Sequence, residues 1–374
     1  MSIYIRGSGA HPFGKSKKDV ITMAAEAATY AIENGNRKPE FLFVGSMLDN
    51  NLHGVANIVP KIADAIGLNG IYGMKIDTAS STGAALFQIA AQYLAASNCT
   101  TGLVIASERM TGYDGSKITS MLAQVLSYDE QLHGATMPGL AALIAKDYMK
   151  RYNAPYDAFS AVAIKNHRNG LLNPIAHFKK EITMKDIMES RVVADPLRVY
   201  DCAPVSDGAV AVMISKEKND VELAGFGGAT DTVNLVDRDN LDGFRATQIA
   251  AKRAYDMAKI NSHKISIAEI HDAFTPFELI GMEDLNIAER GNAWKMVLKD
   301  ETALNGRIPV NGSGGLKARG HPVSVSGLAQ IMEISLQLSG MAEKRQVDNL
   351  SYGIAQSTGG LASNNFVTIL RRSD

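Results

Sequence analysis

Asn311–Gly327, NGSGGLKARGHPVSVSG, is the stretch on which the reading of the chain turns. Glycine at 312, 314, 315, 320 and 327 would weaken any helix or strand interior, so this backbone turns tightly and approaches something closely. His321 sits between Gly320 and Pro322, and a following proline disfavours helix, which holds His321 extended at the mouth of a turn. From Leu328 the apolar residues LAQIMEISLQL recur at helical spacing. The segment therefore reads as a glycine-rich loop that presents one imidazole and then enters a helix. A lone histidine is most often structural; the glycines around this one favour a site.

Working outward, strands and helices alternate, which predicts a layered α/β fold. Ile3–Gly7, Phe41–Ser46, Leu103–Ser107 and a short buried Met74–Thr78 read as strands. Val20–Asn34, Asn57–Ile66 and the alanine-rich Ser81–Ala96 read as helices, with a polar loop at Asp49-Asn50-Asn51. From about Tyr113 to Arg191 the alternation gives way to helices and loops, an insertion folded over the sheet. Ala209–Ile214 is a continuous apolar run, as expected of a strand buried on both faces. After a charged turn at Lys216–Asp220 the pattern restarts with strand Val221–Gly227, helix Arg245–Lys259, strand Ile267–His271, the glycine loop with its helix, and strand Phe366–Leu370. The boundary divides the chain into residues 1–220 and 221–374, with 113–191 as the insertion.

The chain has 374 residues and a net charge of −1, a balance that argues against a nucleic-acid or anionic-membrane surface. No run approaches the roughly 18 apolar residues of a membrane span. The N-terminal MSIYIRGSGAHPFG lacks a secretion signal pattern, and two cysteines cannot build a disulfide framework. A soluble cytoplasmic protein is expected. No Cys/His cluster has metal-ligand spacing, and no glycine fingerprint for nucleotide phosphates is present.

GGLKARGHPVSVSG resembles the GGxKxxGHPxGATG loop of the thiolase superfamily, whose histidine is a catalytic acid/base. HDAFTPFELIGMEDL from His271 looks like the HDxFT motif of its sterol-carrier-type and archaeal members. DCAPVSDGAVAVMIS from Asp201 is similar to their DCSPxSDGAAA segment, and Leu140 to Pro174 to the stretch that covers their active site. The resemblance implies a five-layer αβαβα sandwich of two similar halves with an inserted loop domain, usually a tight homodimer, here through the strand around Met74–Thr78. It further implies acyl-CoA as substrate, no permanently bound cofactor, and, for the archaeal type, a small zinc-ribbon/OB-fold partner that helps hold CoA.

Three positions that hold cysteine in that pattern do not hold it here. Aligned on ACASGxAAL, Ser80 stands where the family has its nucleophilic cysteine, in DTASSTGAAL. A thiolate is accessible near neutral pH, especially at a helix N-terminus, whereas a serine hydroxyl needs a base to take its proton. Read by themselves, Ser80, Ser81 and Thr82 are simply N-caps of the helix that follows. Ala273 replaces the second cysteine of many HDxF members. Ser357, in QSTGG, stands at the acid/base cysteine of the C-terminal CxG motif, and Gln356 where relatives commonly have histidine. In the glycine loop, Ser324, Val325 and Ser326 replace Gly-Ala-Thr.

The resemblance assigns His321 as the base and His271 as a ligand of the thioester oxygen, with Asp272 read as a helix cap. Ser80, His271, His321 and Ser357 are expected to converge on one pocket. Cys99 and Cys202 read as core or second-layer residues, and His167 as a solvated helix end as readily as a ligand contact. Two functions fit: an acyl-CoA-dependent acyltransferase of thiolase type with Ser80 at the nucleophile position, or a condensation-inactive subunit that binds acyl-CoA or a partner enzyme. A third reading, an engineered serine that traps a complex, explains Ser80 but not Ala273 and Ser357.

Overall fold

The computed structural model describes residues 2–373. The first set of elements is β1 (Tyr4–Gly14), α1 (Val20–Gly35), β2 (Phe41–Gly45), α2 (Asp49–His53), α3 (Ile58–Ala65), β3 (Tyr72–Ile76), α4 (Thr82–Ala96) and β4 (Thr101–Glu108). Five helices follow: α5 (Gly115–Ala123), α6 (Tyr128–Leu132), α7 (Met137–Tyr152), α8 (Tyr156–Leu172) and α9 (Met184–Glu189). A small ribbon of β5 (Val192–Ala194) and β6 (Leu197–Arg198) leads into β7 (Asp207–Ser215). The last set is β8 (Val221–Thr230), α10 (Arg245–Ala258), β9 (Ile267–Glu269), α11 (Thr275–Asp284), α12 (Ala293–Leu298), α13 (Ser326–Leu338), β10 (Tyr352–Gly359) and β11 (Asn364–Arg372).

One topology is used twice. The strands run β3-β2-β4-β7-β1-β8-β11-β10-β9. In the first group β2 is parallel to β3 and β4, and β7 is antiparallel to β4 and β1. In the second, β9 is parallel to β10 and to a bridge at Val310, and β11 is antiparallel to β10 and β8. Val310 thus takes the place of β3, and α13 the place of α4. The groups meet where β1 pairs antiparallel with β8 through Tyr4–Glu222 and Ile5–Val221, so the two sheets share one short hydrogen-bonded seam.

Alternation along the strands shows the layers, because successive side chains point to opposite faces. Phe41 and Phe43 of β2, with Val210, Val212 and Ile214 of β7, enter a central core with α4 and α13. Leu42 and Val44, with Ala209, Ala211 and Met213, pack instead under α1 and α3. On the second sheet Ala355 and Leu370 face the centre, whereas Ile354, Val367 and Ile369 pack under α10 and α11. The order helix, sheet, helix pair, sheet, helix is the α/β sandwich expected.

Several local expectations change. Met74–Thr78 is not a buried strand: β3 covers Tyr72–Ile76 at the free edge of the sheet, and all five residues keep accessible surface. Its apolar residues are explained by one packed face and one open edge. Asp49-Asn50-Asn51 opens the short helix α2 rather than a loop. His167 is buried, stacked on Phe178 with the ring centroids 5.3 Å apart, because α8 packs its polar residues into the protein beneath the glycine loop.

Candidate active site

The strand–helix junction at Ser80 is a strained turn. Ala79 has φ +55°, a left-handed conformation costly for a residue with a Cβ. Hydroxyls stabilise it: Thr82 Oγ1 donates to Ala79 O (2.6 Å) and accepts from Thr78 N (2.8 Å), and Ser81 Oγ donates to Thr78 O (2.7 Å). Ser81 stands at the N-cap position of α4, as the sequence suggests, but its hydroxyl makes no capping bond, and Thr82 is the first helical residue. They fix the turn that places Ser80 in the lining of a cavity.

The glycine loop is held from below by buried acids. Asp272 accepts from the backbone of Leu316 (2.6 Å) and Lys317 (3.3 Å) and from Asn166 Nδ2 (2.7 Å). It is therefore not the cap of α11, whose N-cap is Phe274. Glu278 receives Asn166 and Asn311, and Glu269 receives Ser313 and the Arg319 guanidinium (3.3 Å). Burial pushes the Glu269 carboxyl up to about 7, against the pull of Arg319. These contacts leave His321 at the exit of the loop, beside Val205, with its backbone N–H on Ser206 Oγ (3.3 Å).

His271 and His321 meet edge to face, ring centroids 5.3 Å apart and planes at 90°. His321 Nδ1 lies 2.7 Å from Ser326 Oγ, which also lies 3.2 Å from Pro322 O. The carbonyl can only accept, and when the serine hydroxyl donates to it the oxygen accepts from Nδ1–H, the tautomer in which the Nε2 lone pair of a neutral His321 is free. Burial, and after it the Arg319 charge, lowers His321 to about 3. His271 is also held well below its ordinary range, by burial and then by His321 and Arg319. Its Nδ1 is buried without a hydrogen-bond partner, and its backbone N–H donates to Gln356 Oε1 (2.9 Å). Two neutral imidazoles therefore stand side by side at neutral pH.

Both rings and Ser80 line one cavity of about 300 Å³, together with Thr119 and Thr358 and a largely apolar wall. A wider hollow of about 890 Å³ near His263, Asn292 and Arg307 brings no such pair together. Ser357 is not among the lining residues. It is buried with its hydroxyl unpartnered, turned toward Gly327, because β10 alternates and Thr358 takes the cavity side. Cys202, read as a core residue, does line the cavity, since its segment bridges to Phe274. Burial pushes its thiol up to about 12, so it offers no ready thiolate. Sequence reasoning also missed the α5 and α7 side of the wall, whose signal was Ile118 and Leu122 at helical spacing in a segment otherwise rich in polar residues. Among the described residues no group of three or more His, Cys, Asp or Glu side chains could hold a metal ion, and no helix is long and apolar enough to cross a membrane.

Comparison with known proteins agrees with this architecture. Residues 4–218 match the model of the thiolase N-terminal domain, and 227–372 that of the thiolase C-terminal domain-like family. Acetyl-CoA acetyltransferase of Methanothermobacter thermautotrophicus is 33% identical over 96% of this chain and 95% of its own length. The benzoylsuccinyl-CoA thiolase subunit BbsB of Thauera aromatica is 28% identical over 96% and 94%. Among solved structures, an Ltp2-ChsH2(DUF35) aldolase superposes with a TM-score of 0.84 at 21% identity, covering 99% of this chain and 98% of the other. The Acat5 thiolase of Ascaris suum in complex with coenzyme A gives 0.71 at 15%, with full coverage of both. With both halves matched and the glycine-loop histidine seated opposite the HDxF histidine, the chain belongs to the thiolase superfamily.

Proposed function

We propose that this protein makes or breaks a carbon–carbon bond next to the carbonyl of a coenzyme A thioester, with His321 as acid/base and His271 as a donor to the thioester oxygen. The observation that carries this reading is the pair of neutral imidazoles facing one cavity beside Ser80. In acyl transfer, His321 Nε2 takes the Ser80 hydroxyl proton as Oγ attacks the thioester carbonyl. The carbon–sulfur bond then breaks, and the departing CoA sulfur receives that proton. An imidazolium so enclosed is costly, and a helix N-terminus supplies only about 0.3–1 kcal/mol toward ionising a hydroxyl, so this step is slow. Ser357 serves as support for α13 in this reading rather than as an acid/base.

A second reading is a reaction that parks no acyl group on the enzyme. It fits a ring whose Nδ1 is engaged with Ser326 and whose other nitrogen can serve a substrate in the cavity as well as Ser80. The aldolase named among the similar structures is consistent with it. A condensation-inactive acyl-CoA-binding subunit is the remaining alternative. As assembly we propose a homodimer through the open edge of β3, where Tyr72 is half exposed. A small zinc-ribbon/OB-fold partner also fits, and names such as "subunit BbsB" and "Ltp2-ChsH2(DUF35)" describe assemblies of more than one chain.

Intact-protein mass spectrometry of wild type, Ser80→Cys and His321→Ala after incubation with several acyl-CoAs tests the proposal. An acyl adduct that is slow on wild type, faster on Ser80→Cys and lost in His321→Ala supports acyl transfer. No adduct on any of the three, with cleavage of a β-hydroxyacyl-CoA by wild type, supports the second reading. Neither adduct nor cleavage leaves the binding subunit.

A further inference from the structure

From the cavity itself we infer the substrate class: a CoA thioester whose acyl part is uncharged, apolar and ring-sized or branched, not acetyl. This rests on the thiolase-type reading and adds to it. An apolar cavity of about 150 Å³ holds a benzene, so a chamber of about 300 Å³ has room for a ring beyond the thioester. An acetyl group would leave most of it unfilled, and unfilled apolar space forfeits the contacts its lining could make.

The wall fits such a group chemically. Ile118 and Leu122 of α5 stand one turn apart on the cavity side, and Ile118 is the single buried residue of that helix. Ile118 packs with Leu48, Met110 and Val323, and Leu122 lies against that cluster while keeping surface in the cavity lining, so α5 offers the cavity an apolar wall that is already anchored. Met137 at the start of α7 continues the wall, and Phe274 and Phe277 close the other side as an edge-to-face pair with centroids 5.3 Å apart. No Asp, Glu, Lys or Arg is among the lining side chains, and the imidazoles are neutral. A carboxylate on the acyl group would lose its hydration without a cation to meet it.

Isothermal titration calorimetry of the full chain with CoA, acetyl-CoA, phenylacetyl-CoA and glutaryl-CoA reads this directly. Phenylacetyl-CoA should bind about tenfold or more tighter than acetyl-CoA, and glutaryl-CoA no tighter than acetyl-CoA. Leu122→Trp, which fills the chamber from a half-buried position, should lower phenylacetyl-CoA affinity by about tenfold. Leu122→Ala, which cannot overpack, should instead still bind it. Equal affinity for acetyl- and phenylacetyl-CoA, or tight glutaryl-CoA binding, overturns the inference while CoA binding persists. Absence of binding by every thioester and by CoA itself overturns the thiolase-type reading with it.

Discussion

Gly83 and Gly327 occupy equivalent places in the repeated topology, and each abuts the other's helix. A Cβ on Gly83 would lie 2.5 Å from Leu328 N, and one on Gly327 would lie 2.7 Å from Ala84 N. The N-terminal turns of α4 and α13, which carry Ser80 and His321 just upstream, therefore meet backbone to backbone. Alanine normally stabilises a helix interior by up to about 1 kcal/mol over glycine. Here the obstructing atoms include main chain, which cannot swing aside. Gly83→Ala and Gly327→Ala should each lower stability by about 1–3 kcal/mol in urea unfolding. The double variant should lose less than the sum, because one displacement of the helices relieves both clashes.

Asp272 is predicted to matter for folding more than for proton transfer. Its removal leaves the N–H groups of Leu316 and Lys317 and the Asn166 amide without their acceptor in a buried place. Asp272→Ala should cost about 2–4 kcal/mol of unfolding free energy, and Asp272→Asn less. Equal stability of Asp272→Ala and wild type would show that the loop is held by other contacts.

The contrast between Asp272 and His321 shows what was legible in the sequence. Glycine and proline around His321 constrain the backbone locally, so a loop offering an imidazole can be read from neighbours in the chain. Asp272 binds a loop more than forty residues away, and nothing adjacent to it distinguishes that role from a helix cap. The strand–helix alternation was readable for the same local reason. The edge position of β3 and the cavity place of Cys202 were not, because both depend on which segments pack beside them. Ser357, placed by its motif alone, lies off the cavity lining because Thr358 takes that face of β10, and period two sends adjacent residues to opposite faces.

Stability should depend on pH through His321. Its imidazole is held at about 3 in the folded protein, against about 6.5 in an unfolded chain. The unfolded state thus binds a proton that the folded state refuses, and the contribution is complete above pH 6.5 and lost as the pH falls. Glu108 and Glu269, both pushed up to about 7 by burial, act oppositely: their contribution is present below about 4.5 and lost as the pH rises through 7. The His321 part is isolated by difference. Between pH 7 and 5, His321→Asn should lose about 1–2 kcal/mol less stability than wild type, the lower value allowing for water reaching the ring through the cavity. Identical slopes in urea unfolding at the two pH values would remove His321 from this account.

Ser326 should set which nitrogen of His321 is basic. Its hydroxyl has one hydrogen, and Pro322 O at 3.2 Å can only accept it. With the hydroxyl so directed, the oxygen accepts from Nδ1–H at 2.7 Å, and the expected form has Nε2 unprotonated on a ring that lines the cavity. Nitrogen-15 NMR of the His321 side chain should therefore show the Nδ1–H tautomer in wild type. In Ser326→Ala the acceptor is gone, the tautomers mix, and a fraction of the rings presents N–H where a base is required. Turnover or acyl-enzyme formation should fall by about tenfold or more, since a positioned general base contributes about a hundredfold or above. Ser326→Thr keeps the hydroxyl and should restore both the tautomer and most of the rate. A purely structural Ser326 would lower stability in the alanine variant without changing the His321 nitrogen spectrum, and that outcome would separate support of the loop from control of the base.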